Sequence, residues 1–306
     1  MNSERPLFTL FTATFNRAHT LHRVYESLVC QTLRDFEWLI VDDGSTDSTR
    51  EVVEGWQSEA AIPIRYYHQP NAGYHIAFNR GVELARGELF LSLGSDDACK
   101  PYALERFYHH WMAIPAAERE QFSAVTGLCE DQYGRLHGGP FPVDVLDSDP
   151  RELLYRYKTP GEKWGFHRTD VLRQFPFPAV EGVSHVPGNI VWCAIGRHYK
   201  TRYVNEVLRI YYCGEDDDTL SAVTPAASAR AALLRDTVAL SRDLDAFFVA
   251  APRYFLKRAA GVTRFALHER AGIGPWRSLP WRAQALVCLM APAGLALYYR
   301  DRRRGP

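Results

Sequence analysis

The first hundred residues alternate short apolar runs with amphipathic stretches. Leu7 to Thr12 (LFTLFT), Phe36 to Val41 (FEWLIV), Ile64 to His68 (IRYYH) and Glu88 to Leu93 (ELFLSL) have the length and β-prone character of strands. Between them, Leu21, Val24, Tyr25 and Leu28 recur at i, i+3, i+4 and i+7, which predicts a helix, with Asn16 as its cap. Asp42-Asp43-Gly44-Ser45 stops the second strand, and Ser45 or Thr46 is placed to cap a helix running towards Trp56. Ala77, Gly81 and Leu84 mark a third helix face, which Gly87 ends, and Leu104, Phe107, Tyr108 and Trp111 mark a fourth. Strands alternating with helices predict an α/β fold, a mostly parallel sheet with helices on both faces.

The middle of the chain is less regular. Ser123 to Cys129, Trp164 to His167 and Val204 to Tyr212 are strand candidates, separated by turn signals at Asp131 to Gly134 and a loop at Gly138-Gly139-Pro140. The acidic run Glu215 to Asp218 marks the expected boundary between an α/β domain over 1–215 and a helical region over 216–306. In that region Thr237, Leu240, Leu244 and Phe247 form one apolar stripe, and Phe255, Ala259, Val262 and Ala266 another. No charge falls between Ala283 and Tyr299, while Arg300, Arg302, Arg303 and Arg304 follow and Trp276, Trp281, Tyr298 and Tyr299 flank the segment. As a helix it is ~25 Å long, short of the roughly 30 Å bilayer core. With Pro292 and Gly294 interrupting it, 276–306 is expected to lie on a membrane surface, the alternative being a packing or dimer helix.

Composition narrows the class. Hydrophobic residues make up 46% and charged residues 24%, which excludes a disordered, collagenous or polytopic membrane chain. Lys plus Arg and Asp plus Glu are both 36, so a globally basic nucleic-acid binder is not expected. The six cysteines include no C-x-x-C spacing and read as free thiols of a reducing compartment. Pro6 to Phe15 reads as a buried strand rather than a secretory leader, so a cytoplasmic protein, peripheral on the inner face of the membrane, is expected.

In an open parallel sheet, ligands bind beyond the carboxyl ends of the strands. Three of the first four strand ends carry polar clusters: Thr14-Phe15-Asn16-Arg17, Asp42-Asp43 and Ser95-Asp96-Asp97. One such aspartate is ordinarily a turn residue, but two pairs that should meet in one crevice are harder to explain structurally. No G-x-G-x-x-G follows the first strand and no Walker A sequence exists. Adjacent carboxylates are hard ligands for Mg²⁺ or Mn²⁺, which can bridge to a diphosphate.

The stretch FTATFNRAHTLHRVYESLVCQTLRDFEWLIVDDGSTDST, followed by NAGYHIAFNRGVELARGELFLSLGSDD, resembles the family 2 glycosyltransferases of the GT-A fold. The similarity is ordered from Leu7 to about Leu104 and continues more weakly through Gly161 to Pro178 and Tyr199 to Tyr212. It implies a Rossmann-like mixed sheet with a helical C-terminal extension, a donor half over about 1–104 and an acceptor half over about 105–215. It further implies a nucleoside-diphosphate sugar, a UDP-sugar foremost, Mn²⁺ or Mg²⁺, inversion at the anomeric carbon, and a glycan or lipid-linked acceptor. Residue by residue, it puts Asp43 on the nucleotide base with Ala13, Thr14 and Phe15 lining it. It puts Asp96 and Asp97 at the ribose and the metal, in an order left open, and Asn79 and Arg80 on the helix beside the donor phosphates.

Two departures stand out. Gly94 replaces the first aspartate of the D-x-D pattern, and Gly188 replaces the glutamate found four residues before the tryptophan matched by Trp192. Glu181 and His185 are the nearby candidates for the general base. Relatives also often carry a lysine where Tyr74 stands. A catalytically silent sugar-nucleotide binder is the alternative reading. A nucleotidyltransferase fits less well, because TATFNRAHT is not a glycine-rich, basic loop.

Overall fold

The computed structural model describes residues 5–180, 182–213 and 228–303. Within these, the chain forms two units. The first comprises 5–153, 157–179 and 193–213; the second comprises 154–156, 180 with 182–192, and 228–303. The expected boundary at 215/216 lies outside the described residues.

The first unit is built on one nine-stranded sheet. Strands β1 (Phe8–Thr14), β2 (Phe36–Asp42), β3 (Ile64–His68) and β4 (Leu89–Ser92) are parallel, in the order β3-β2-β1-β4. These are the four apolar runs of the sequence. β1 and β2 are almost wholly buried, as strands covered on both faces must be. The sheet continues with β5 (Ala98–Cys99), β6 (Phe122–Asp131), β7 (Val145–Ser148), β8 (Lys163–Arg168) and β9 (Lys200–Tyr211). β8 runs antiparallel between β4 and β6, β6 pairs parallel with β9, and β5 and β7 pair antiparallel with β9. The sheet is therefore mixed: the N-terminal half, β3-β2-β1-β4, is wholly parallel, and β6–β9 is a further parallel pair among antiparallel ones.

Helices α1 (Leu21–Val29), α2 (Thr49–Glu59), α3 (Tyr74–Leu84) and α4 (Ala103–Met112) cover it. Leu21, Val24 and Leu28 of α1 and Leu104, Phe107 and Trp111 of α4 share a core with Phe8 and Leu10, on one face. Phe78 of α3 packs against Phe11 and Phe90 on the other, with ring centroids 5.7 and 5.3 Å apart. Two caps differ from expectation. Thr20, not Asn16, precedes α1, because Asn16 adopts a left-handed backbone and accepts the Thr46 N–H at 2.7 Å. Ser48, not Ser45 or Thr46, precedes α2, and Asp47 Oδ1 accepts the Thr49 N–H at 3.1 Å.

In the second unit, α5 (Ala229–Arg242), α6 (Pro252–His268) and α7 (Trp281–Arg303) pack around Leu240, Phe255, Val262 and Val287. Asp243 interrupts the first predicted stripe, between α5 and a short turn at Leu244–Phe247, and accepts the Tyr155 hydroxyl at 3.0 Å.

Candidate functional site

The parallel register brings the carboxyl ends of β1, β2 and β4 side by side, with Thr14 opposite Asp42 and Phe11 opposite Ser92. The loops beyond them are stitched together: Asn16 N–H donates to Ser45 Oγ at 2.8 Å and Ala18 N–H to Asp47 Oδ2 at 3.1 Å. Ala13 is half-buried, and the Phe15 ring is exposed at the rim. Thr14 Oγ1 is buried with no hydrogen-bond partner among the described residues, an arrangement that suits a bound polar ligand.

The two aspartates at the end of β2 divide their work. Asp42 is structural: it accepts the Ser45 N–H at 2.7 Å and the Tyr66 hydroxyl at 2.5 Å, and burial followed by that bond pushes the Tyr66 pKa up. Asp43 Oδ1 accepts from Gln69 Nε2 at 2.8 Å and Ala72 N at 3.0 Å, and Oδ2 accepts from Gly73 N at 2.8 Å. Of roughly four lone-pair sites on a carboxylate, three are used, and the fourth is left for a further N–H. Gly73 opens α3, so the positive end of that helix is fixed to Asp43.

Asp96 and Asp97 differ more sharply. Asp97 is 1% exposed. Its Oδ2 accepts from Arg209 Nε at 3.1 Å and from Arg209 Nη2, and its Oδ1 accepts from Tyr212 N at 3.1 Å. Burial works against the Arg209 charge, but Asp97 beside it more than restores it, so the Arg209 pKa is raised. Asp96 is half-buried, and no hydrogen bond among the described residues reaches its carboxylate. Arg23 Nη1 donates to its backbone oxygen at 3.3 Å. Gly94 makes this pairing possible: a Cβ there would stand 2.4 Å from Asp97 Oδ2 and 3.0 Å from Asp96 Oδ1. An aspartate at position 94 could not be accommodated without moving Asp97.

The resemblance implies a divalent cation, and the donor set is the test of it. Among the described residues no cluster of three or more His, Cys, Asp or Glu could hold a metal. Mg²⁺ does not need one, since it binds through one or two carboxylates with substrate phosphates and waters. Asp96 beside a diphosphate fits that requirement. Asp97 would first have to leave Arg209.

The remaining expected residues are not all gathered at this crevice. Asn79 exchanges two hydrogen bonds with the Phe177 backbone, at 2.8 and 2.9 Å, and thereby anchors the FPFP segment rather than offering its amide to a donor. Arg80 is exposed and pairs with Glu83 at 3.0 Å. Tyr74 Oη lies 3.2 Å from Ser92 Oγ at the end of β4. Glu181 lies outside the described residues. His185 is half-buried and belongs to the second unit, as do Gly188 and Trp192. A Cβ on Gly188 would stand 2.6 Å from Trp192 Nε1, so the indole occupies the space an acid there would need. Sequence reasoning missed Arg209 and Gln69. Arg209 sits in the strand-like run VLRIYY, where a charge among apolar residues was the available signal.

Residues 9–133 match the family described as Glycosyl transferase family 2. An uncharacterized glycosyltransferase of Nostoc sp. is 40% identical over 197 residues, 60% of this chain and 58% of that protein. The uncharacterized glycosyltransferase YibD of Escherichia coli is 34% identical, over 69% of this chain and 62% of its own. The chain thus spans about three-fifths of these two relatives. Among solved structures, Staphylococcus aureus TarS 1–349 in complex with UDP-GlcNAc superposes with a TM-score of 0.62 at 18% identity, covering 94% of this chain and 80% of that one. The mannosyltransferase PcManGT of Pyrobaculum calidifontis, in complex with GDP-Man and Mn²⁺, superposes at 0.59 and 19% identity, covering 98% and 83%. At these identities the likeness is one of fold.

Proposed function

The chain belongs to the family 2 glycosyltransferases through its residues 9–133, and on that premise we propose that it transfers a sugar, with inversion, from a nucleoside-diphosphate donor to a hydroxyl of a glycan or lipid-linked acceptor. A UDP-sugar is the first candidate donor. The observation that carries this reading is the division of labour at the crevice: Asp43 and Thr14 retain unfilled hydrogen-bonding capacity, while Asp97 is locked to Arg209 and Asp96 stands clear of any partner among the described residues.

In this reading the nucleobase lies against Ala13, Thr14 and Phe15 and donates an N–H to Asp43. Asp96 holds the Mn²⁺ or Mg²⁺, which when bound neutralises charge on the departing diphosphate. Asp97 does not contact the donor; with Arg209 it fixes the loop that carries Asp96. His185 or Glu181 takes the proton from the acceptor hydroxyl, a contribution of ~10²–10⁴-fold. Gly188 favours one rival, a sugar-nucleotide binder without turnover, because it removes the expected acid.

The test is a panel of nucleotide-sugars, with and without Mn²⁺, followed by thermal stabilisation and by release of nucleoside diphosphate. The expected result is metal-dependent stabilisation and release with one nucleotide class. Stabilisation without release, with acceptors supplied, supports the silent binder. No response to any nucleotide-sugar rejects both.

A further inference from the structure

We propose that the outer face of α7 is a docking surface for a bilayer bearing anionic headgroups, on which the helix lies in the plane of the interface. The inference concerns the second unit alone and stands whichever donor the first unit takes.

α7 packs on its unit through Ala283, Val287 and Gly294, and Gly294 approaches so closely that a Cβ would stand 2.4 Å from the Ala260 carbonyl oxygen. The opposite face is left outside. Trp281 is 73% and Leu289 70% exposed, and Leu295 and Tyr299 are exposed further along. No charge interrupts 283–299 on either face. An apolar strip of this length is more than the scattered single residues an ordinary surface carries.

The charges at its ends identify the occupant. The sole acid of the helix, Asp301, is turned inward: its oxygens accept from Arg264 at 2.6 and 2.7 Å, and His268 Nε2 lies 3.1 Å away. The exposed charges of α7 are therefore all positive. Arg282 stands at one end, sharing a solvent-exposed pair with Asp245, and Arg300, Arg302 and Arg303 stand at the other. A second copy of α7 is a poor fit, because parallel and antiparallel pairing both set arginines against arginines. An anionic lipid surface meets both demands: it takes the apolar strip at the acyl boundary and the arginines at the headgroups, with Trp281 and Tyr299 at the depth aromatic side chains prefer. Among the described residues no helix is long and apolar enough to cross a membrane, so the contact lies on the surface.

The test is flotation of the 306-residue protein with phosphatidylcholine vesicles, with and without phosphatidylglycerol. The wild type should float with the anionic vesicles at low salt, bind neutral ones poorly, and release at high salt. Leu289→Glu should weaken binding by roughly tenfold or more. Replacing Arg300, Arg302 and Arg303 together by Gln should weaken it by roughly fivefold per arginine. Both sets of changes lie on exposed side chains, and an unchanged melting temperature verifies that the fold survives. Unchanged nucleotide binding by the same variants separates this proposal from the donor-site reading. Three results overturn it: protein that stays unbound at low salt, variants that float like wild type, or a dimer in the absence of lipid that Leu289→Glu dissolves.

Discussion

Arg209 of β9 donates from two nitrogens to a single oxygen of Asp97, across 112 residues of chain, in a pair whose side chains are 13% and 1% exposed. Removing one partner of a buried pair leaves an uncompensated charge. We therefore expect Asp97→Ala to lower stability by about 3–5 kcal/mol, and Asp96→Ala, whose carboxylate has no partner to lose among the described residues, to leave it nearly unchanged. Urea denaturation of the two variants decides it, and equal midpoints would show that the pair does not hold the loop.

Asn79 closes a two-bond bridge to the Phe177 backbone. Asn79→Ala should cost about 1–3 kcal/mol for the buried groups left unsatisfied, while donor affinity of the folded variant stays at the wild-type value. A large loss of donor affinity without a loss of stability would return Asn79 to the donor site.

Gly188 lies under the Trp192 indole. Gly188→Ala should destabilise by about 1–3 kcal/mol through overpacking, and Gly188→Glu by more, without raising turnover. A Gly188→Glu protein that is stable and faster than wild type would show that the Trp192 indole does not exclude an acid at that position.

Glu206 supplies the pH dependence. Arg106, donating from Nε at 2.8 Å, and then His110 Nε2 at 2.7 Å hold its carboxyl at about 2, against an ordinary 4.5. A carboxyl with a depressed folded pKa stabilises above its unfolded value and loses that contribution as pH falls through the folded one. Stability should therefore decline between pH 4.5 and about 2. Glu206→Gln should flatten that limb and cost about 1–2 kcal/mol at neutral pH, after allowance for partial exposure. A limb of unchanged slope in Glu206→Gln would assign the acid sensitivity elsewhere.

The parallel half of the sheet was legible because each of its strands is an apolar run between turn residues, and because the amphipathic helices repeat cleanly. β5 and β7 were not: two and four residues long, they owe their pairing to β9 rather than to any pattern of their own. At the site, Asp43, Asp96 and Asp97 were visible as polar breaks after strands. Their different roles were not, because those depend on partners far away in sequence: Gln69, Ala72 and Gly73 for Asp43, and Arg209 and Tyr212 for Asp97. The structural partner of Asn79 was hidden for the same reason. Its position on α3 was clear, whereas its bond to Phe177 joins residues 98 apart.

Calorimetric titration of a UDP-sugar, with and without Mn²⁺, into wild type, Asp43→Asn and Asp96→Asn tests the central claim most directly. The wild type should bind saturably and more tightly with Mn²⁺. Asp43→Asn should weaken binding by roughly tenfold or more, as loss of a charge-assisted hydrogen bond requires, whether or not the metal is present. Asp96→Asn should bind as wild type does without Mn²⁺ and gain nothing when Mn²⁺ is added. If both variants bind the nucleotide as the wild type does, with the same gain from Mn²⁺, the crevice at the ends of β1, β2 and β4 is not the donor site.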